Sequence, residues 1–195
     1  MIFFIALIAV AHTATYGLRT YGDYQVDVYV MDTCAKREKN GFKSYKFTKI
    51  NETAFKCTIY KDADCKGDTK EETYNEPKDF KFDTKLPKHL LAFPKDDYSQ
   101  DCSNYKNVIE YPLHLAGCKK ESDIEGAESE KYIDLGGKID HKLYKDKECK
   151  TEYKSQQVFE CDVCYADSTN KNSRKALCGA SSIFVAIAMI FAFLF

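Results

Sequence analysis

Cys34 and Cys65 stand 31 residues apart, as do Cys118 and Cys149, and the second pair follows the first at a distance of 84. A cross-link of fixed span that occurs twice constrains a chain strongly, because each bridge must close a loop of set length around a folded unit. The residues around the second cysteine of each pair repeat too. Ile59-Tyr60-Lys61-Asp62-Ala63-Asp64-Cys65-Lys66 recurs as Leu143-Tyr144-Lys145-Asp146-Lys147-Glu148-Cys149-Lys150, and in the same register Lys36 meets Lys120 and Phe55 meets Ile139. The chain therefore reads as a duplication, with Cys34–Cys65 and Cys118–Cys149 as its equivalent disulfides.

The repeated unit is expected to be mainly β. Tyr24, Val26, Val28 and Val30 alternate with Gln25, Asp27 and Tyr29, the period-two pattern of a half-buried strand. Phe55, Cys57 and Ile59 share one strand face, as do Ile139, His141 and Leu143 in the second copy. Phe80 and Phe82 alternate with lysines, Ile109, Tyr111, Leu113 and Leu115 form a further run, and Gly136-Gly137 marks a hairpin turn. Helical periodicity is weak, with Lys119 to Lys131 the one stretch that could hold a short exposed helix. Gly67 to Asp97 is charged and carries Pro77, Pro87 and Pro94, and reads as a loop-rich bridge between copies. The expected fold class is a small, disulfide-rich, mainly β exported domain of two duplicated modules packed together.

Both ends carry address signals. Residues 1–11 form an apolar run ending in an Ala-x-Ala pattern at Ala9 and Ala11. That is a signal-peptide h-region and cleavage site, although no Lys or Arg precedes it. At the other end Ile183 to Phe195 is an unbroken apolar run of 13, preceded by the polar stretch Asp167 to Lys175. Small residues, a polar spacer and a terminal apolar tail make up a GPI-attachment signal, here residues 169–195 with Ser168 as the favoured attachment residue. Cys178-Gly179-Ala180 offers smaller residues but almost no spacer, and counting from Ala176 lengthens the tail to 20 residues, enough for a single membrane span. The division is then 1–11 signal peptide, 12–100 first module with its bridge, 101–168 second module, and 169–195 tail.

Nine cysteines support export. If Cys178 leaves with the tail, eight remain: Cys34, Cys57, Cys65, Cys102, Cys118, Cys149, Cys161 and Cys164. An even count in an exported chain reads as a disulfide framework. Residues 12–168 hold only 27 Leu, Ile, Val and Phe, while all 14 tyrosines fall there. The core is accordingly thin and supplemented by tyrosine rings and cross-links. Charges are interspersed, 26 Lys and Arg against 30 Asp and Glu over those residues, without the basic stripe that nucleic acid requires.

Little catalytic chemistry is legible. Cys161-Asp162-Val163-Cys164 has redox spacing but no following helix pattern, so it reads as structural cystine. No second such motif or histidine pair completes a zinc site. Asp62 to Asp68 resembles the opening of a calcium loop, yet Lys66 and Thr73 occupy positions that need ligands. His89, His114 and His141 lie outside any nucleophile, zinc-protease or phosphate-loop motif, and His141 replaces Cys57 of the other copy, which favours packing. Asn51-Glu52-Thr53 is an N-glycosylation sequon on an expected surface turn. The expectation is a non-enzymatic protein on the extracellular face of the plasma membrane, without metal or cofactor. Its membrane attachment would run through a lipid anchor or the C-terminal apolar segment, and its ligand would be an extracellular protein or glycan. A secreted inhibitor or toxin-like binder acting through Gly67–Asp97 is the alternative.

Overall fold

The computed structural model describes residues 14–75, 79–97, 99–167 and 172–179. The expected leader 1–11, Ser168 and the apolar run from Ile183 lie outside the described residues. In chain order the strands are β1 (Tyr16–Tyr21), β2 (Gln25–Val30), β3 (Cys34–Lys39), β4 (Phe42–Asn51), β5 (Ala54–Tyr60), β6 (Thr69–Asn75), β7 (Phe80–Asp83), β8 (Leu91–Ala92) and β9 (Lys95–Asp96). There follow β10 (Glu110–His114), β11 (Cys118–Lys119), β12 (Ser129–Asp134), β13 (Lys138–Tyr144), β14 (Glu152–Glu160), β15 (Cys164–Asp167), β16 (Asn172–Lys175) and β17 (Leu177–Cys178). One 3-10 turn at Tyr105–Asn107 is the only helical element among the described residues.

The fold is mainly β, as its alternating sequence predicts. A six-stranded sheet runs β17-β8-β10-β2-β1-β7, and β3-β4-β5-β6 and β11-β12-β13-β14 form two four-stranded meanders. The sheet order reads alike from either end. Each half contributes a strand that opens it (β1 or β8), a strand leading into its meander (β2 or β10), and an edge strand that follows the meander (β7 or β17). β2 and β10 meet antiparallel at the centre, Val28 opposite Tyr111 and Val26 opposite Leu113. Val26, Val28 and Val30 are buried, alternating with half-buried neighbours, which is the period-two pattern made physical.

Three expectations change here. The stretch 67–97 is not chiefly loop: β6 completes the first meander, β7 pairs with β1, and β8 pairs with β10 and β17. Leu91 and Ala92, expected in the first module, thus join the strands of the second half. The charged residues of β6 belong to an edge strand, where a solvated face needs no apolar pattern. No helix forms between Lys119 and Lys131, because β11 and β12 pair from Cys118 to Lys131, and Gly126 between them sits at φ +83°.

Two cores result. The larger joins the central sheet to the first meander through Leu18, Val28, Phe47, Phe55, Ile59 and Leu113. The smaller comprises Leu91, Phe93, Ile139, Phe159 and Ala176 under the second meander. Where the second meander begins, the chain runs tightly against the β1–β2 turn: Leu115 N–H donates to Tyr24 (2.8 Å) and Gly117 N–H to Asp23 (3.0 Å). A Cβ on Gly117 would fall 2.0 Å from the Asp23 carbonyl oxygen. Gly117→Ala is therefore expected to cost about 2 kcal/mol by overpacking, measured as a lower urea midpoint with an unchanged slope.

Candidate functional site

The disulfides organise everything else. Cys34–Cys65 and Cys118–Cys149 form as the repeat predicts, with Cα separations of 5.9 and 6.0 Å. Their surroundings match in detail. Ser44, opposite Tyr60, donates its hydroxyl to the Asp62 carbonyl; Ser129, opposite Tyr144, donates to the Asp146 carbonyl. Cys65 and Cys149 adopt left-handed φ of 59° and 55°, and each Sγ lies 3.5 Å from the carbonyl oxygen after its serine, at Tyr45 and Glu130. Sequence inspection misses this serine pair because Ser44 and Ser129 are 85 residues apart, one more than the cysteine register.

The other four cysteines correct the expected framework. Cys102 pairs with Cys164 and Cys161 with Cys178. Cys57 takes part in no disulfide and remains a buried thiol, 1% exposed. It lies on the core-facing side of β5 with Phe55 and Ile59, whereas all the bridged cysteines stand at strand ends or in turns. The two thiols of Cys161-x-x-Cys164 thus go to separate partners.

Cys178 also lies in a stretch that pairs with the rest of the fold. Residues 172–179, expected to be part of a discarded tail, carry β16 and β17. Ser173 is fully buried, its hydroxyl donating to the Ser99 carbonyl (2.8 Å) and accepting from Cys102 N–H (3.0 Å). Ala176 and Leu177 are core residues. Polar letters here pair with a neighbouring strand instead of forming a solvated spacer. Among the described residues no helix is long and apolar enough to cross a membrane.

Asn51 is exposed at the β4–β5 hairpin tip. Its side-chain oxygen accepts from Thr53 N–H (2.9 Å) and Thr53 Oγ1 (3.2 Å), a local turn that closes the sequon on itself.

A group of titratable side chains lies where the second meander meets the central sheet. Tyr132 is stacked between His114 (4.2 Å) and His141 (4.6 Å between ring centroids). Glu130 accepts a hydrogen bond from His141 Nε2 at 3.1 Å and pairs with Lys119 at 2.7 Å. Beside Lys119 opens a groove of about 500 Å³ between Gly22–Tyr24 and Cys118–Glu121. Burial pulls the Glu130 carboxyl upward, but the His141 and Lys119 hydrogen bonds and charges outweigh it and hold it at about 2. Burial, then the neighbouring His141, lowers His114 to about 4; Lys119 and Arg174 add to this and Glu130 opposes it. Neutral His114 is accordingly a packing ring between two sheets, and Glu130 is a fixed carboxylate that orients His141.

This arrangement has an acid signature. An unfolded histidine titrates near 6.5, so His114 protonates more readily unfolded than folded. Its stabilisation is complete above about pH 6.5 and is lost as pH falls through 4, a change of up to about 3 kcal/mol. Buried His89, whose pKa burial also lowers, acts with the same sign. Glu130 contributes separately, with stability present above about pH 4.5 and lost toward pH 2. His114→Phe, which keeps a ring against Tyr132, is expected to flatten the fall in urea midpoint between pH 6.5 and 4. An unchanged slope would assign the loss elsewhere.

No protein-family model, curated protein or solved structure matches the chain.

Proposed function

We propose that this chain is a non-enzymatic surface protein of the extracellular face of the plasma membrane, a cross-linked β body for adhesion, ligand capture or coat formation. Four disulfides in a small β domain are the mark of an exported fold. The observation that carries the tethered reading is the Cys161–Cys178 bridge. It clips the body to Cys178, with four residues between that cysteine and the apolar run that begins at Ile183. Lipid attachment at Ser168 would sever β16 and β17 from the body, yet leave the cut piece bonded through sulfur to Cys161. A tether beginning after Cys178, at the small residues Gly179 to Ser182, avoids this. The same start suits an apolar segment kept as a membrane span.

The equivalent serine–cysteine turns and the symmetric strand order further support descent of the two halves from one duplicated unit. Asn51, exposed in a hydrogen-bonded turn, is the proposed glycan acceptor.

Treatment of intact cells with phosphatidylinositol-specific phospholipase C is expected to release the protein, with its last peptide ending beyond Cys178. Retention with Phe195 present in the C-terminal peptide would replace the lipid by a membrane span. Recovery in the medium without treatment would overturn the tether altogether.

A further inference from the structure

Five large apolar side chains are exposed among the described residues: Ile50, Leu135, Tyr153, Val158 and Val163. Three of them, Leu135, Val158 and Val163, lie on segments tied by hydrogen bonds or the disulfide to the last described residues. Cys178, one residue before Gly179, is bonded to Cys161. Cys161 N–H donates to the Gly137 carbonyl at 3.2 Å, which joins it to the β12–β13 hairpin tip carrying Leu135, 56% exposed. On the other side Ala176 N–H donates to the Val163 carbonyl at 3.0 Å, and Val163 N–H to Glu160. Val158 stands three residues before Cys161, opposite Asp140 on β13.

The first half differs from this corner at one strand position. Thr73 faces Lys56 on β5 where Val158 faces Asp140 on β13, and the matching hairpin tip pairs Ile50 with the exposed sequon residue Asn51. At that strand position the second half is apolar where the first half is polar, while both hairpin tips expose an apolar side chain, Leu135 and Ile50. Near the corner Lys138 pairs with Glu160 at 2.6 Å, and Lys175 donates to the Asp162 carbonyl.

What covers the corner follows from the chain beyond it. Only Ala180, Ser181 and Ser182 separate Gly179 from the 13-residue apolar run. Five extended steps from Cys178 to Ile183 reach about 17 Å, so a bilayer holding that run lies within that distance of Cys178.

We propose that the corner formed by Leu135, Val158 and Val163 rests on the bilayer, its side chains entering the phospholipid headgroup region. This surface rests on the tethered reading above and deepens it: the body is oriented by its own contact with lipid as well as held by its tether. Apolar contact of this kind is insensitive to salt.

Tryptophan reports on the contact directly, because the chain contains none. Leu135→Trp and, as the matching tip of the first half, Ile50→Trp are made in the full chain and expressed in eukaryotic cells. Each is reconstituted into phosphatidylcholine vesicles with and without brominated lipid. Leu135→Trp is expected to emit at shorter wavelength and to be quenched at least about twofold more than Ile50→Trp, equally at low and high salt. Val163→Trp repeats the measurement from a second position should the hairpin variant not fold.

Failure of the protein to float with vesicles would overturn the tether, and the contact with it. Flotation with water-exposed, unquenched tryptophan at both corner positions would overturn the contact and leave the tether standing. Equal quenching of Ile50→Trp would place a different face on the membrane. A blue shift that follows protein density, without bromolipid quenching, would make the corner an interface between copies.

Discussion

Replacing Cys102 and Cys164 together by serine is expected to lower stability by about 4 kcal/mol, the chain-entropy value for a loop of this size. The bridge spans 62 residues, the longest separation of the four. Its loss should also be unevenly felt. The first half shares the larger core with the central sheet, whereas the second meander rests on a small cluster around Leu91, Ile139 and Phe159. Both bridges that have no counterpart in the first half, Cys102–Cys164 and Cys161–Cys178, belong to the second. Cross-links there compensate for missing apolar burial. Denaturation of the double variant by guanidinium without reductant should separate into two transitions, the second half opening first. A single transition at the wild-type midpoint would show that the bridge adds nothing to stability.

Phe55→Ala is the complementary experiment in the half that depends on its core, and is expected to cost about 3–5 kcal/mol. Phe55 is 1% exposed and is the ring through which the first meander grips the central sheet. It stacks on Tyr74 (4.9 Å, interplanar angle 5°) and Phe80 (5.1 Å, 19°), and packs against Tyr29 (4.9 Å) and Phe47 (5.6 Å). Truncation leaves four rings around a void that rigid strands cannot close. Phe55→Leu should recover more than half of the loss, since the volume is largely restored while the stacking is not. An alanine cost below about 1 kcal/mol would mean that the aromatic cluster is not a core.

The fold was legible wherever a pattern had a single physical cause. Alternation of Val26, Val28 and Val30 marked β2 because one face of that strand is buried, and the repeat paired Cys34 with Cys65 and Cys118 with Cys149 because equivalent chain positions fold alike. Illegible features had causes that a linear reading hides. Cys57 and Cys178 exchange the expected roles since bonding depends on which thiols meet at a rim, and parity of the count cannot distinguish a core thiol from a discarded one. Ser173 looked like spacer because its burial comes from Ser99 and Cys102, more than seventy residues away in the chain. The His114–Tyr132–His141 stack joins three strands and leaves no motif at all. A resident carboxylate such as Glu130 is invisible among thirty acids until His141 and Lys119 are seen beside it.

The Cys161–Cys178 bridge has a mechanical consequence. Tension applied beyond Gly179 would otherwise fall on β17, a two-residue edge strand held to β8, and such a strand unzips bond by bond. The sulfur link instead passes the load covalently to Cys161 at the end of β14, and Cys164 carries it on to Cys102 near the start of the second half. The hydrogen bonds between β17 and β8 thereby do not carry that load alone. Reductant should convert a mechanically strong attachment into one that peels.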